Sequence, residues 1–120
     1  MMEPILTVTA TETTEPVTVL AAAGEIDHDS RYVLSDAADE ALQHGDHRLI
    51  IDLSGVSFCD SGGLGLFVDL HNRTTARGGW LRLACAQPPV IAVLRATNLD
   101  RLLPLHPTLE DALRAAQAAG

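Results

Sequence analysis

The sequence predicts an α/β fold: a mixed, mostly parallel sheet with one antiparallel edge strand and about four helices, in the order β-β-α-β-α-β-α-β-α. Three observations carry this expectation. Apolar runs alternate with amphipathic stretches of about 10 to 16 residues, long enough for crossovers between parallel strands. The run "RLIIDL" at 48–53 is apolar on both faces, as in a strand covered by helices on either side. The first two apolar runs are separated only by the polar "ETTEP", so they form a hairpin.

Each element follows in turn. Residues 5–11, "ILTVTAT", alternate Leu6, Val8 and Ala10 with Thr7, Thr9 and Thr11, the period of a half-exposed edge strand. Residues 17–23, "VTVLAAA", make the second strand. "GEIDHDS" closes it and opens a helix from Tyr32, where Leu34, Ala37, Ala38, Ala41 and Leu42 recur at spacings of three and four. Asp29 or Ser30 suits the N-cap, and Gly45 the left-handed exit. After the third strand, "SGVSFC" reads as a loop. A helix then runs from "DSGGLGL" to Gly78-Gly79, with Leu64, Phe67, Val68 and His71 on one face. "WLRLACA" at 80–86 is the next strand, and Pro88-Pro89 begins a helix ending at Asn98. "LLPLH" is a short last strand, and Thr108 with Asp111 caps the final helix. The whole chain, 1–120, reads as one domain with a core over about residues 5–116.

Composition narrows the function. The chain is 47% hydrophobic and 20% charged, which suits a globular fold. Its net charge is −8, and its eight basic residues are scattered arginines with no lysine. A phosphate-backbone binder carries a basic patch, so no direct nucleic-acid partner is expected. Cys59 and Cys85 form no C-x-x-C pair and lie in apolar runs, as small buried thiols do. The N-terminal stretch lacks a basic region followed by an apolar one, and no span approaches a membrane helix. The expectation is a cytoplasmic protein with no membrane association.

Two loops follow the carboxyl ends of parallel strands, where function gathers in such sheets: "GEIDHDS" and "SGVSFCDSGGLGL". The second places Gly62, Gly63 and Gly65 at a helix entrance, although each interior glycine costs about 1 kcal/mol relative to alanine. Bare backbone at 62 and 63 suits close approach by a partner, and Gly65 suits tight packing of helix on sheet. The competing reading is that all three serve packing and turn geometry alone.

In the order and spacing of "GEID", "LIIDLSGVSFCDSGGLGL", "GGWLRLACA" and "VLRATNLDRLLPLHPTLEDAL", the sequence resembles STAS domains, the anti-sigma factor antagonists of bacteria. The resemblance runs from about residue 5 to 116. It implies a non-enzymatic binding switch without cofactor or metal. Such a domain binds a cytoplasmic anti-sigma factor, usually a protein kinase of the histidine-kinase ATP-binding fold, and so frees a sigma factor. The kinase phosphorylates a serine at the helix start, which breaks the complex, and a serine phosphatase resets it. By this resemblance Glu25, Asp27, Asp60, Ser61, Gly62, Gly63 and Leu64 form the partner-binding surface. A plain capping role suits Asp27 as well.

The chain departs from the family pattern at one position. The family's D-S-S-G, or D-S/T-x-G, carries the acceptor as its second hydroxyl residue, and here that residue is Gly62. A phosphate adds about −1.5 to −2 charges, which a helix N-terminus tolerates but a pressed interface does not. Ser61 is the remaining phosphoacceptor candidate. One residue along a helix is about 100° of rotation, so its hydroxyl points elsewhere, and an N-cap is its competing role. Ser54 and Ser57 rank below it. The alternative function is therefore a constitutive, non-phosphorylatable interaction module in a larger signalling assembly.

Rival chemistries fit poorly. An EF-hand starting at Asp27 needs Gly at 32 and Glu at 38, where the chain has Tyr32 and Ala38. "SGGLGL" matches neither a dinucleotide fingerprint nor a P-loop. Ser61 is not in a G-x-S-x-G elbow, and His28, His44, His47, His71 and His106 show no ligand spacing.

Overall fold

A computed structural model describes residues 4–13 and 16–118. Its elements are β1 (Leu6–Glu12), β2 (Thr18–Ile26), α1 (Tyr32–Gln43), β3 (Arg48–Cys59), α2 (Ser61–Ala76), β4 (Trp80–Ala84), α3 (Pro88–Ala96), a 3-10 turn (Leu99–Arg101), β5 (Leu105–His106) and α4 (Leu109–Ala118). The five strands lie in the spatial order β1-β2-β3-β4-β5. β1 pairs antiparallel with β2, and the remaining pairs are parallel. The predicted fold class and element order hold.

Helices cover both faces unequally. Leu34 and Ala38 of α1, Leu64, Phe67 and Leu70 of α2, and Val90 and Leu94 of α3 pack with Leu20, Leu49, Ile51 and Leu83 of the sheet. Ala112 and Ala116 of α4 cover Val19, Ile50 and Ala84 on the other face. Both faces of the middle of β3 are thereby buried, which is why "LIID" lacks the alternation of β1.

Turn chemistry matches the sequence at several ends. Gly45 and Gly78 adopt positive φ after α1 and α2, and Asn98 does so after α3. The Thr108 hydroxyl accepts the Asp111 N–H at 3.0 Å.

Three local expectations are corrected. "SGVSFC" is strand, because it continues alongside Ala23–Ile26 through two shifts of register. Such bulges add residues to one strand without ending the pairing. On α2 the buried face holds Leu66 and Leu70, while Val68 and His71 are only half-buried. At α1 neither Asp29 nor Ser30 caps through its side chain onto the first turn, and the preceding turn is closed by Asp27.

Candidate functional site

The carboxyl ends of β2 and β3 are neighbours, so the 27–30 loop and the mouth of α2 meet. The pairs Glu25–Phe58 and Ile26–Cys59 set this register. Alternation sends Ile26 and Cys59 into the core, whereas Glu25 and Phe58 are exposed.

Asp60 is the hinge of the arrangement. It sits extended before the helix, and its Oδ1 accepts the N–H groups of Gly62 at 2.8 Å and Gly63 at 3.2 Å. These are two of the donors that a helix start leaves unpaired. Its Oδ2 accepts the His28 N–H at 3.3 Å, which ties the neighbouring loop to the same carboxylate. Asp60, not Ser61, is therefore the N-cap. Ser61 is the first helical residue and is exposed.

The 27–30 loop is held from within. Asp27 Oδ1 accepts the Ser30 N–H at 2.7 Å and the Asp29 N–H at 3.0 Å, as in an Asx turn. The buried Ser30 hydroxyl donates to the Glu25 carbonyl at 2.8 Å and accepts the Asp27 N–H at 3.0 Å. Chiefly through the Ser30 N–H, the Asp27 carboxyl is held below its ordinary value. The Arg31 guanidinium donates to the Gly62 carbonyl at 3.4 Å, a second bond between loop and helix mouth.

The glycines behave differently from expectation. A Cβ on Gly62 would stand 2.7 Å from His28 Cα and 2.9 Å from His28 N. One on Gly63 would stand 2.6 Å from Cys59 Sγ and 2.7 Å from Ile26 Cγ2. Both glycines exist because the chain's own backbone and core press against them, so the exposed-backbone reading is corrected for this pair. Gly63 and Leu64 are buried beneath the mouth. The packing role expected of Gly65 is also corrected, since a Cβ there would meet nothing within 4 Å.

Of the expected surface residues, Glu25 and Ser61 are exposed, while Asp27, Asp60 and Gly62 are half-buried. Sequence reasoning missed His28, Arg31, Tyr32 and Phe58 around them. Tyr32 is 62% exposed and Phe58 47% exposed. A signal for Tyr32 was present: it falls off the buried stripe of Leu34, Ala38 and Ala41. Phe58 carried none, because its strand looked like a loop.

Cys59 is buried beside Asp60, and burial first, then that negative charge, pushes its thiol up to about 12. Both cysteines are free. Among the described residues no three His, Cys, Asp or Glu side chains are grouped to hold a metal ion. No helix there is long and apolar enough to cross a membrane.

This geometry has relatives. The family model described as STAS domain matches residues 9–112. The Thermotoga neapolitana homologue of TM1081 is 30% identical over 86% of this chain and 92% of its own length. The anti-sigma F factor antagonist of Paenibacillus polymyxa is 26% identical over 81% of this chain and 84% of its own. A crystal structure of an anti-sigma factor antagonist from Mycobacterium paratuberculosis superposes with a TM-score of 0.84 at 29% identity, covering 93% of this chain and 94% of the other. With its mixed sheet, its β2 and β3 loops joined at Asp60, and a family match over most of its length, the chain belongs to the STAS domain family.

Proposed function

We propose that this chain is an anti-sigma factor antagonist, which binds a kinase-type anti-sigma factor of the histidine-kinase ATP-binding fold and so releases a sigma factor. It acts by docking and catalyses nothing. The observation that carries this reading is the mouth of α2. Ser61 is exposed there, the 27–30 loop is clasped beside it through Asp60 and Arg31, and Glu25 and Phe58 are exposed on the adjoining strand ends. Rigid loops held by internal hydrogen bonds lose little freedom on binding. Relatives named as anti-sigma factor antagonists support the role. Asp27 and Asp60 act as positioning residues, with Gly62, Gly63 and Leu64 as the packed base beneath.

A second reading is favoured by one specific observation. Position 62 has no hydroxyl, and the His28 backbone already fills the space where its side chain would stand. The complex would then be constitutive, within a larger signalling assembly, unless Ser61 takes the phosphate and a serine phosphatase removes it. Mixing the purified chain with its host's ATP-binding anti-sigma factors and labelled ATP separates these outcomes. A stable complex without label supports the constitutive module. Label on Ser61 that dissolves the complex supports the switch. Failure of every anti-sigma factor to bind overturns the antagonist reading.

A further inference from the structure

The sheet has two edges of unequal kind. β5 is two residues long, whereas β1 runs for seven and pairs only with β2. The Thr13 N–H donates to the Val17 carbonyl at 3.2 Å, and the Ile5 carbonyl accepts the Glu25 N–H at 3.0 Å. In an antiparallel ladder such pairs recur at every second residue, so the odd-numbered residues of β1 turn their main chain to β2. The even-numbered ones turn theirs outward. Leu6 is buried, so the open margin begins at Val8 and continues through Ala10 and Glu12. It has no bulge and only one charged side chain, Glu12, to guard it. A margin of that kind accepts a further strand.

The side chains of Val8, Ala10 and Glu12 line a cleft of about 480 Å³ whose other wall is the C-terminal half of α1. Glu40 and Asp46 also line it, and no arginine does. Among the described residues, none of the carboxylates of Glu12, Glu40 and Asp46 belongs to an ion pair. Asp46 accepts only a neutral donor, the Thr18 hydroxyl at 2.7 Å, and His44 donates its Nδ1–H to the Glu40 carbonyl at 2.7 Å. The negative charge of the cleft is therefore uncompensated. Thr18 opens β2 and Asp46 precedes β3, which puts the cleft at the opposite end of the sheet from the mouth of α2.

We infer that β1 takes on a further strand: an extended basic segment of another protein, bonded to the main chain of Val8, Ala10 and Glu12. Side chains alternate between the two faces of a strand. Those over the cleft are Lys or Arg, opposite Glu12, Glu40 and Asp46. Those on the other face are small and β-branched, because β1 shows exposed Thr7, Thr9 and Thr11 there. Main-chain bonds supply the attachment, and charge selects the occupant. A second copy of this chain is the poorer occupant, since it would add its own Glu12, Glu40 and Asp46 to the same edge.

The test uses the full chain and a capped peptide of the length of β1 that alternates Thr with Lys. Calorimetry should show it binding about tenfold tighter than a Thr–Glu counterpart, with an affinity that falls as NaCl is added. Two further copies, N-methylated on either the Lys or the Thr nitrogens, keep the charge but block opposite edges of the peptide. One should lose about tenfold in affinity, and the other should bind as the parent does. Ala10→Pro removes an outward N–H without touching the β2 ladder and should weaken binding about tenfold. Glu40→Gln should weaken it severalfold, and Arg114→Ala, on exposed α4, should leave it unchanged. Amide exchange at Val8, Ala10 and Glu12 should slow in the complex. No binding, equal affinity for the Thr–Glu peptide, or wild-type affinity in folded Ala10→Pro overturns the inference. Equal affinities of the two methylated copies overturn it even where Ala10→Pro fails to fold. A wild-type dimer that Ala10→Pro dissolves overturns it by giving the edge to a second copy of this chain.

Discussion

His28 and Gly62 meet backbone to backbone: a Cβ on Gly62 would stand 2.7 Å from His28 Cα, and the His28 N–H donates to the carboxylate that caps the same helix. The loop after β2 and the entrance of α2 are therefore one packed unit. Its members tolerate change very unequally.

Gly62→Ser restores a hydroxyl where the family has one, yet it should destabilise this chain. Main chain cannot swing aside as a flexible side chain does, and overpacking of this kind costs about 1–3 kcal/mol. Urea titration should show a lower midpoint with an unchanged slope. A midpoint equal to wild type would mean that the 27–30 loop moves away freely.

Gly65→Ala should do the opposite. With open space around the Cβ, only the helix preference acts, and stability should rise by about 1 kcal/mol. Calorimetry should show a melting temperature higher by roughly 4 °C. A fall would reveal a contact at this position.

Asp60→Ala removes acceptors from three N–H groups at once, those of His28, Gly62 and Gly63. Loss of the cap alone costs about 1–2 kcal/mol. Amide exchange at His28 should also quicken, because its donor loses its partner. Exchange unchanged at His28 would show that this bond contributes nothing to the clasp.

Acid should loosen the same loop through Asp27. Its folded-state carboxyl is held below the ordinary value by the Ser30 N–H, so the folded form binds fewer protons than the unfolded one in that window. The resulting stability is complete above the unfolded pKa of about 3.9 and is lost as pH falls through the lower folded value. Asp27→Asn should flatten that part of the urea-midpoint profile below about pH 4. An unaltered profile would assign the acid sensitivity to other carboxylates.

Thiol reactivity should separate the two cysteines. Cys59 is buried with its thiol pushed up to about 12, so it has almost no thiolate at pH 8. It should react with a disulfide reagent only on unfolding, whereas half-buried Cys85 should react slowly in the native protein. Prompt reaction of both would show that the base of the α2 mouth opens readily.

Much of the fold was legible because periodicity and turn residues act locally. The Thr alternation of β1, the apolar "LIID" of β3 and the glycines or asparagine after three helices each mark their element directly. The end of β3 was not legible: Ser54, Gly55 and Ser57 look like loop, and only the partner strand β2 makes them sheet. The glycines at the α2 mouth were read in the wrong order for the same reason. Whether a missing Cβ faces backbone, core or solvent depends on what the fold brings opposite it. For Gly62 that neighbour is 34 residues earlier in the chain. Asp60 was found by its place in the motif, but its bond to His28 was not, because the two meet only through the pairing of β2 with β3.

The spatial order of the strands repeats their order in the chain. Each new strand therefore joins a free margin and never has to wedge between two already placed. Nearest-neighbour order keeps each crossover as short as parallel pairing permits, although such pairing is itself non-local in sequence and slows folding. It also lets the sheet be laid down progressively during synthesis, β1 to β5, with α4 arriving last to shield the back of β3 and β4.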